Sequence, residues 1–269
     1  QMKLLKGVLT SKLQEGTCIT IGKFDGVHKG HRLLIEKCID MAKEAGLKSC
    51  LFTFDTVPSS VTGADYKILT LKREKELIFE SLGLDIVVEY LFDTSFKNLL
   101  PEEFIKEILI DKLNMKALFV GSDFRFGKNN LGNIDLLKEL SKLYNFKLDV
   151  LSKEEEENVE ISSSTIKKEL SEGRIDKVNK MLGYEYIISG KTKSGKKLGR
   201  TIGVPTMNIY PEESKSLPAF GVYAGMASFR GREYKCVINV GVRPTVNNSD
   251  MVSVETHLLD YNAEETETY

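Results

Sequence analysis

The sequence predicts an α/β chain in two parts: an N-terminal domain on a mainly parallel sheet, then a small antiparallel β-barrel. Three observations carry this. From Thr17 to about Gly183, apolar β-rich runs alternate with helical periods. Around Leu182-Gly183-Tyr184 the helical periods stop, and short β-rich runs separated by glycine turns take over. The 269 residues are also enough for two ordinary domains, each burying its own core. The expected division is therefore 1–183 and 184–269.

In the first part, strands are expected at 17–21, 49–54, 86–90, 117–120 and 147–150, with helices at 32–45, 72–82, 102–113 and 134–143. The first helix rests on Leu34, Cys38 and Ala42, with Ile35 and Ile39 beside them, and Gly46 stands where a left-handed cap would end it. Pro101 before Glu102-Glu103 signals the start of the third. In the second part, 186–190, 206–210, 222–229, 234–240 and 252–259 read as strands.

Composition narrows the setting. With 38 basic against 39 acidic side chains, the chain has no global footprint for nucleic acid or an anionic membrane. The N-terminal residues lack the apolar region of a signal peptide, and no stretch approaches the ~20 apolar residues that span a bilayer. Cys18, Cys38, Cys50 and Cys236 lie in apolar runs without framework spacing and read as reduced core residues, which favours the cytoplasm. The sequence leaves the oligomeric state open.

The first candidate site is Gly22-Lys23-Phe24-Asp25-Gly26-Val27-His28-Lys29-Gly30-His31, between the first strand and its helix. Unpaired N–H groups and the positive dipole end at a helix start, joined by two imidazoles, make a cradle for phosphate oxygens. Gly30 leaves room for close approach. The alternatives are turn residues or a metal pair; the metal reading is weak, because only His257 remains as a further histidine and no H-E-x-x-H or C-x-x-C pattern is present.

Other stations follow. Gly121-Ser122-Asp123-Phe124-Arg125-Phe126-Gly127 offers an apolar slot for a planar ring, although the residues alone fit a hydrophobic turn better. Glu154 to Glu157 reads as a solvated loop. Ile161-Ser162-Ser163-Ser164-Thr165-Ile166-Lys167 opens a helix with hydroxyls that serve as caps or as phosphate donors.

In the second part, Gly190 to Lys197 narrowly misses the P-loop: Lys197 stands where a Ser or Thr is required, and no helix follows. Gly195, Gly199 and Gly203, with Arg200 among them, suit either an anion-binding turn or a basic loop. Thr206 and Asn208 share one strand face and offer oxygen ligands for a hard cation, unless they form an ordinary polar face. Alternation places Ser253, Glu255 and His257 on one face and Val254, Thr256 and Leu258 on the other. In a cleft, Glu255 could accept a proton; outside one it is exposed surface.

The string G-K-F-D-G-V-H-K-G-H resembles the bacterial FAD synthetase branch of the nucleotidylyltransferase superfamily, a Rossmann-like fold. G-R-T-I-G-V-P-T-M-N-I, F-G-V-Y-A-G, N-V-G-V-R-P-T and V-E-T-H-L-L-D-Y resemble the ordered motifs of riboflavin kinase. Together they imply a bifunctional enzyme: ATP phosphorylates riboflavin to FMN, then adenylylates FMN to FAD with release of pyrophosphate, both with Mg²⁺. The implied substrates are riboflavin, FMN and ATP, without nucleic acid or membrane.

The resemblance also assigns residues. His28 and His31 stabilise charge in adenylyl transfer, and Gly22, Phe24, Gly30, Ser163, Ser164 and Lys167 contact ATP. Asp123, Phe124, Phe126 and Gly127 belong to the flavin pocket. In the kinase domain Gly195, Gly199, Arg200 and Gly203 form a phosphate flap, Thr206 and Asn208 organise Mg-ATP, and Glu255 is the general base.

Several positions depart from the family pattern. Ser164 and Lys167 replace a threonine and an arginine, Val57 stands where a histidine is usual, and Met207 replaces an alanine. Val57 and Lys167 leave one alternative, a riboflavin kinase with an impaired adenylyltransferase domain; the small barrel and the basic stretch from Lys191 to Arg200 leave another, a non-enzymatic flavin- or RNA-binding regulator. Family kinase domains usually continue beyond the equivalent of Tyr261, so this sequence is expected to lack the C-terminal strand and helix of that domain.

Overall fold

The computed structural model describes residues 2–55, 66–151, 155–156, 159–193, 206–243 and 251–261. They form two compact units, one comprising 1–66, 72–165 and 181–183, the other 67–71, 166–180 and 184–269. Among the described residues, no helix is long and apolar enough to cross a membrane.

The first unit is built on a six-stranded sheet in the order β1-β4-β3-β2-β5-β6. Its strands are β1 (Lys3–Lys6), β2 (Thr17–Ile21), β3 (Lys48–Phe54), β4 (Ile86–Tyr90), β5 (Met115–Gly121) and β6 (Lys147–Leu151), and every pairing is parallel. Helix α1 (Lys29–Ala45) links β2 to β3, and α2 (Lys72–Leu82) leads to β4. The chain then returns to the other side of β2 to lay down β5 and β6. This reversal opens a crevice beyond the carboxyl ends of β2 and β5, where such sheets bind ligands.

The strands of this sheet read as apolar runs because both faces are covered. Ile19, Phe52, Val88 and Leu118 pack with Phe104, Leu109 and Leu137 in one core. On α1 the periodic residues Ile35, Cys38, Ile39 and Ala42 are buried, and Gly46 closes the helix at φ +63°.

Three local differences from expectation have physical reasons. Helix α1 begins at Lys29, so His31 lies in its first turn. The expected helix 102–113 starts as one turn, Pro101–Glu103, and continues as a π-helix, Phe104–Lys112. Glu103 fixes its start by accepting the Leu100 N–H at 2.8 Å. The third concerns β1, which at four residues, two of them exposed, is too short to announce itself by periodicity.

The second unit contains a five-stranded antiparallel sheet. In chain order its strands are β7 (Lys191–Lys193), β8 (Thr206–Tyr210), β9 (Gly221–Phe229), β10 (Arg232–Arg243) and β11 (Met251–Leu258), and their order is β9-β10-β11-β8-β7. Val254, Thr256 and Leu258 are buried, with Cys236 and Val240. Helices α3 (Ser163–Ser171) and α4 (Ile175–Leu182) precede the sheet.

The strand expected at 186–190 is not formed. Its first N–H is committed elsewhere, since Tyr186 N donates to Asn179 Oδ1 at 2.9 Å. The Tyr186 hydroxyl lies 2.9 Å from Leu69 O and 2.7 Å from Ser216 O, and so pins this stretch as an anchor rather than a ladder. Tyr186→Phe should therefore lower unfolding free energy by about 1 kcal/mol in urea titrations. An unchanged midpoint would contradict the anchoring role.

Candidate active sites

Strand β2 ends at the crevice, and the turn after it delivers the histidines. Gly22 N still donates to Phe52 O at 3.1 Å, and then the backbone turns sharply through Phe24 (φ +48°), Gly26 (φ +88°) and Val27 (φ +39°). For a β-branched residue such as Val27 this conformation costs of order 1–3 kcal/mol. Burial of Phe24 and Val27, both fully inaccessible, offsets it. His28 becomes the N-cap residue of α1, its carbonyl accepting the Arg32 N–H at 2.9 Å.

His28 and His31 stack, with ring centroids 3.7 Å apart and planes 21° from parallel. Phe24 packs edgewise on His31 at 5.1 Å. Burial pulls His28 down to about 4, partly opposed by Asp25. His31 is held well below 6.5, first by burial and then by the nearby His28 and Lys75. Both imidazoles are therefore neutral near pH 7. The Nδ1 atom of each is buried without a hydrogen-bond partner in the protein, an arrangement that a bound oxygen or water would relieve.

A cavity of about 290 Å³ joins this loop to the end of β5, lined by Gly22, Phe24, His28, Gly30, His31, Asp123, Phe124 and Ser163. A Cβ on Gly22 would stand 3.3 Å from the Phe24 ring, so its lack of a side chain helps seat that ring. Gly30 is less constrained, with 3.4 Å to His28.

Other expected site residues lie elsewhere. Phe126 is buried in the core, 5.5 Å from Phe124 in a near-parallel stack and 6.2 Å from Phe104. Gly127 (φ +71°) turns against Pro101, where a Cβ would approach to 2.8 Å. Ser162 provides the cap of α3, its Oγ accepting the Thr165 N–H at 3.2 Å. Ser163 instead donates to Asp25 O at 2.7 Å, tying this helix start to the histidine turn. Ser164 is exposed, and Lys167 lines a different cavity.

Sequence reasoning missed Lys75. It donates to Lys23 O at 2.9 Å and brings positive charge to His31, a relation between distant segments that no local pattern reveals.

In the second unit, register sets a polar row across the sheet. Glu255 stands opposite Asn208 on one side and Asn239 on the other, while Thr206 stands opposite His257. Directly paired residues share a sheet face, so the buried Asn208 and half-buried Glu255 project together. Met207 opposes Thr256 on the other face. An amide oxygen beside a carboxylate suits a hard cation that draws further ligands from phosphates. Among the described residues there is no group of three or more His, Cys, Asp or Glu placed to hold a metal. Gly195, Gly199, Arg200 and Gly203 lie outside the described residues, as does Val57.

A parallel-sheet domain with its site at the strand reversal, followed by an antiparallel sheet domain, defines a two-part transferase. Residues 10–165 match the FAD synthetase family and residues 182–269 the riboflavin kinase family. The chain belongs to the bifunctional riboflavin kinase/FMN adenylyltransferase family. A relative of that name from Buchnera aphidicola subsp. Schizaphis graminum is 37% identical over 268 residues, covering 97% of this chain and 85% of its own. The Escherichia coli K12 protein of the same name is 36% identical, covering 96% and 84%. A solved structure described as a macrolide-efflux protein from Streptococcus pneumoniae superposes with a TM-score of 0.82 at 24% identity, covering 96% of this chain and 86% of that one. At that identity the likeness is one of fold.

The buried histidines make stability pH-dependent. Their folded pKa values lie below the unfolded value, so the unfolded chain takes up protons first as pH falls. The stability cost is absent above about pH 6.5 and grows as pH falls toward 4. Comparison of His28→Gln with the parent should show a pH-dependent difference worth about 3 kcal/mol across that window. Parallel stability curves for the two proteins would refute the buried neutral state.

Proposed function

We propose that the chain makes FAD from riboflavin in two ATP-dependent transfers, adenylyl transfer within 1–183 and phosphorylation within 184–269. The observation that carries the first is the pair of stacked, neutral histidines in a cavity at the sheet's reversal. The acceptor is the FMN phosphate, one of whose oxygens attacks the α-phosphorus of ATP as pyrophosphate leaves. This displacement needs positioning and charge stabilisation rather than a protein nucleophile. His28 and His31, being uncharged, act through hydrogen bonds to phosphoryl oxygens. Gly22, Phe24 and Gly30 shape the ATP cradle, with a phosphate contact from Ser163 on the same cavity. Asp123 and Phe124 receive the isoalloxazine, with Phe126 and Gly127 holding Phe124 and its turn from behind.

For phosphorylation, Glu255 takes the proton from the ribityl hydroxyl of riboflavin as that hydroxyl oxygen attacks the γ-phosphorus of ATP, the β–γ bond breaks and ADP leaves. Thr206 and Asn208 hold Mg-ATP, and Gly195, Gly199, Arg200 and Gly203 contribute to binding its phosphates. Mg²⁺ supplies charge neutralisation at the phosphate oxygens of both reactions. The substrates are small molecules, and near-neutral charge fits a cytoplasmic enzyme that binds neither nucleic acid nor membrane.

A second reading, a riboflavin kinase with a weakened adenylyl half, is favoured by Lys167 lining a separate cavity. Single-site variants separate the activities. Glu255→Gln should lower riboflavin phosphorylation by at least about a hundredfold and leave FMN adenylylation intact. His28→Asn with His31→Asn should do the reverse, by about a hundredfold or more. Equal loss of both activities in either variant would contradict separate sites.

A further inference from the structure

The second unit holds another cavity, of about 590 Å³, lined by neither Asn208 nor Glu255. Its charged lining is cationic on balance, with Lys67, Lys167 and Lys215 against Glu212 and Glu213. Its apolar lining includes the rings of Tyr210 and Phe220, and Phe220 is 63% exposed.

Two buried polar groups at its wall point to a ligand. Lys215 is only 3% exposed, and it is fixed there: Nζ donates to Leu69 O at 2.6 Å and lies 4.3 Å over the Tyr186 ring. A desolvated ammonium locked beside a cavity creates a positive potential that solvent screens poorly. Ser216, its neighbour in sequence, is 8% exposed, and its Oγ is buried without a hydrogen-bond partner in the protein. Such a hydroxyl is destabilising unless a ligand or water oxygen completes it.

We propose that this cavity is a third ligand site, taking a planar heteroaromatic ring that carries one phosphate group. The ring packs on Tyr210 and Phe220, leaving the phosphate to the lysines and the Ser216 hydroxyl. The volume falls within the range of small-molecule sites. A surplus of one positive charge matches a monophosphate better than the triphosphate of ATP. A flavin phosphate and an adenosine monophosphate share this chemistry.

Leu170 and Leu217 line this cavity, do not line the histidine cavity and lie outside the strands that carry Asn208 and Glu255, so their methyl NMR shifts report on it. Titrations with FMN, AMP, riboflavin and inorganic phosphate would be run on the parent and on the double variant Lys67→Ala, Phe220→Ala. FMN or AMP should shift these methyls saturably. The variant should bind about tenfold more weakly while retaining both transfer activities. A response to FMN alone identifies the flavin source, and one to AMP alone the adenine source. The proposal is overturned by no shift at all, by unchanged affinity in the variant, or by inorganic phosphate or riboflavin matching the esters.

Discussion

The first unit depends on one topological constraint: β2 lies between β3, which follows it, and β5, which the chain lays down only after returning from β4. Parallel neighbours on both sides bury β2 completely and leave its carboxyl end at the crevice where the two halves of the sheet diverge. The histidine turn and Asp123-Phe124 in this cavity are placed by that end and by the matching end of β5, while Ser163 comes from the start of α3. The strained turn through Phe24 and Val27 is tolerable because those side chains are driven into the core beneath it. The same burial strips water from His28 and His31 and makes them neutral, so hydrogen bonding, not charge, is the chemistry they offer.

The second unit reaches its site by a different route. Antiparallel register brings Asn208 and Glu255 face to face from segments far apart in sequence. A slip of β11 by one residue would turn Glu255 to the opposite face, away from Asn208. Buried Val254, Thr256 and Leu258 on that opposite face resist such a slip, so packing on one side of β11 fixes chemistry on the other.

Much of this was legible because the local patterns were clean. Thr17–Ile21, Lys72–Leu82, Ile86–Tyr90 and Thr206–Tyr210 have the predicted bounds, and Thr17–Ile21 and Ile86–Tyr90 are short runs buried at every residue. The segment 186–190 misled because its β-forming residues serve a side-chain anchor to Leu69 and Ser216, a tertiary contact that overrides propensity. Within the site, the motif spacing placed both histidines at a helix start but could not show their stacking. Nor could it separate Phe124, at the cavity, from Phe126, in the core, since the choice depends on Phe104 and Gly132 packing around the latter. Ser162 and Ser163 are alike in sequence, yet one caps a helix and the other holds the histidine turn.

The central claim is that one chain carries two working transfer sites. The most direct test is a chromatographic time course of the purified protein with riboflavin, excess ATP and Mg²⁺, beside one started from FMN. FMN appearing before FAD in the first, and FAD without delay in the second, is the expected result. Accumulation of FMN without FAD in both would show that the histidine cavity does not perform adenylyl transfer, and would contradict the account at its centre.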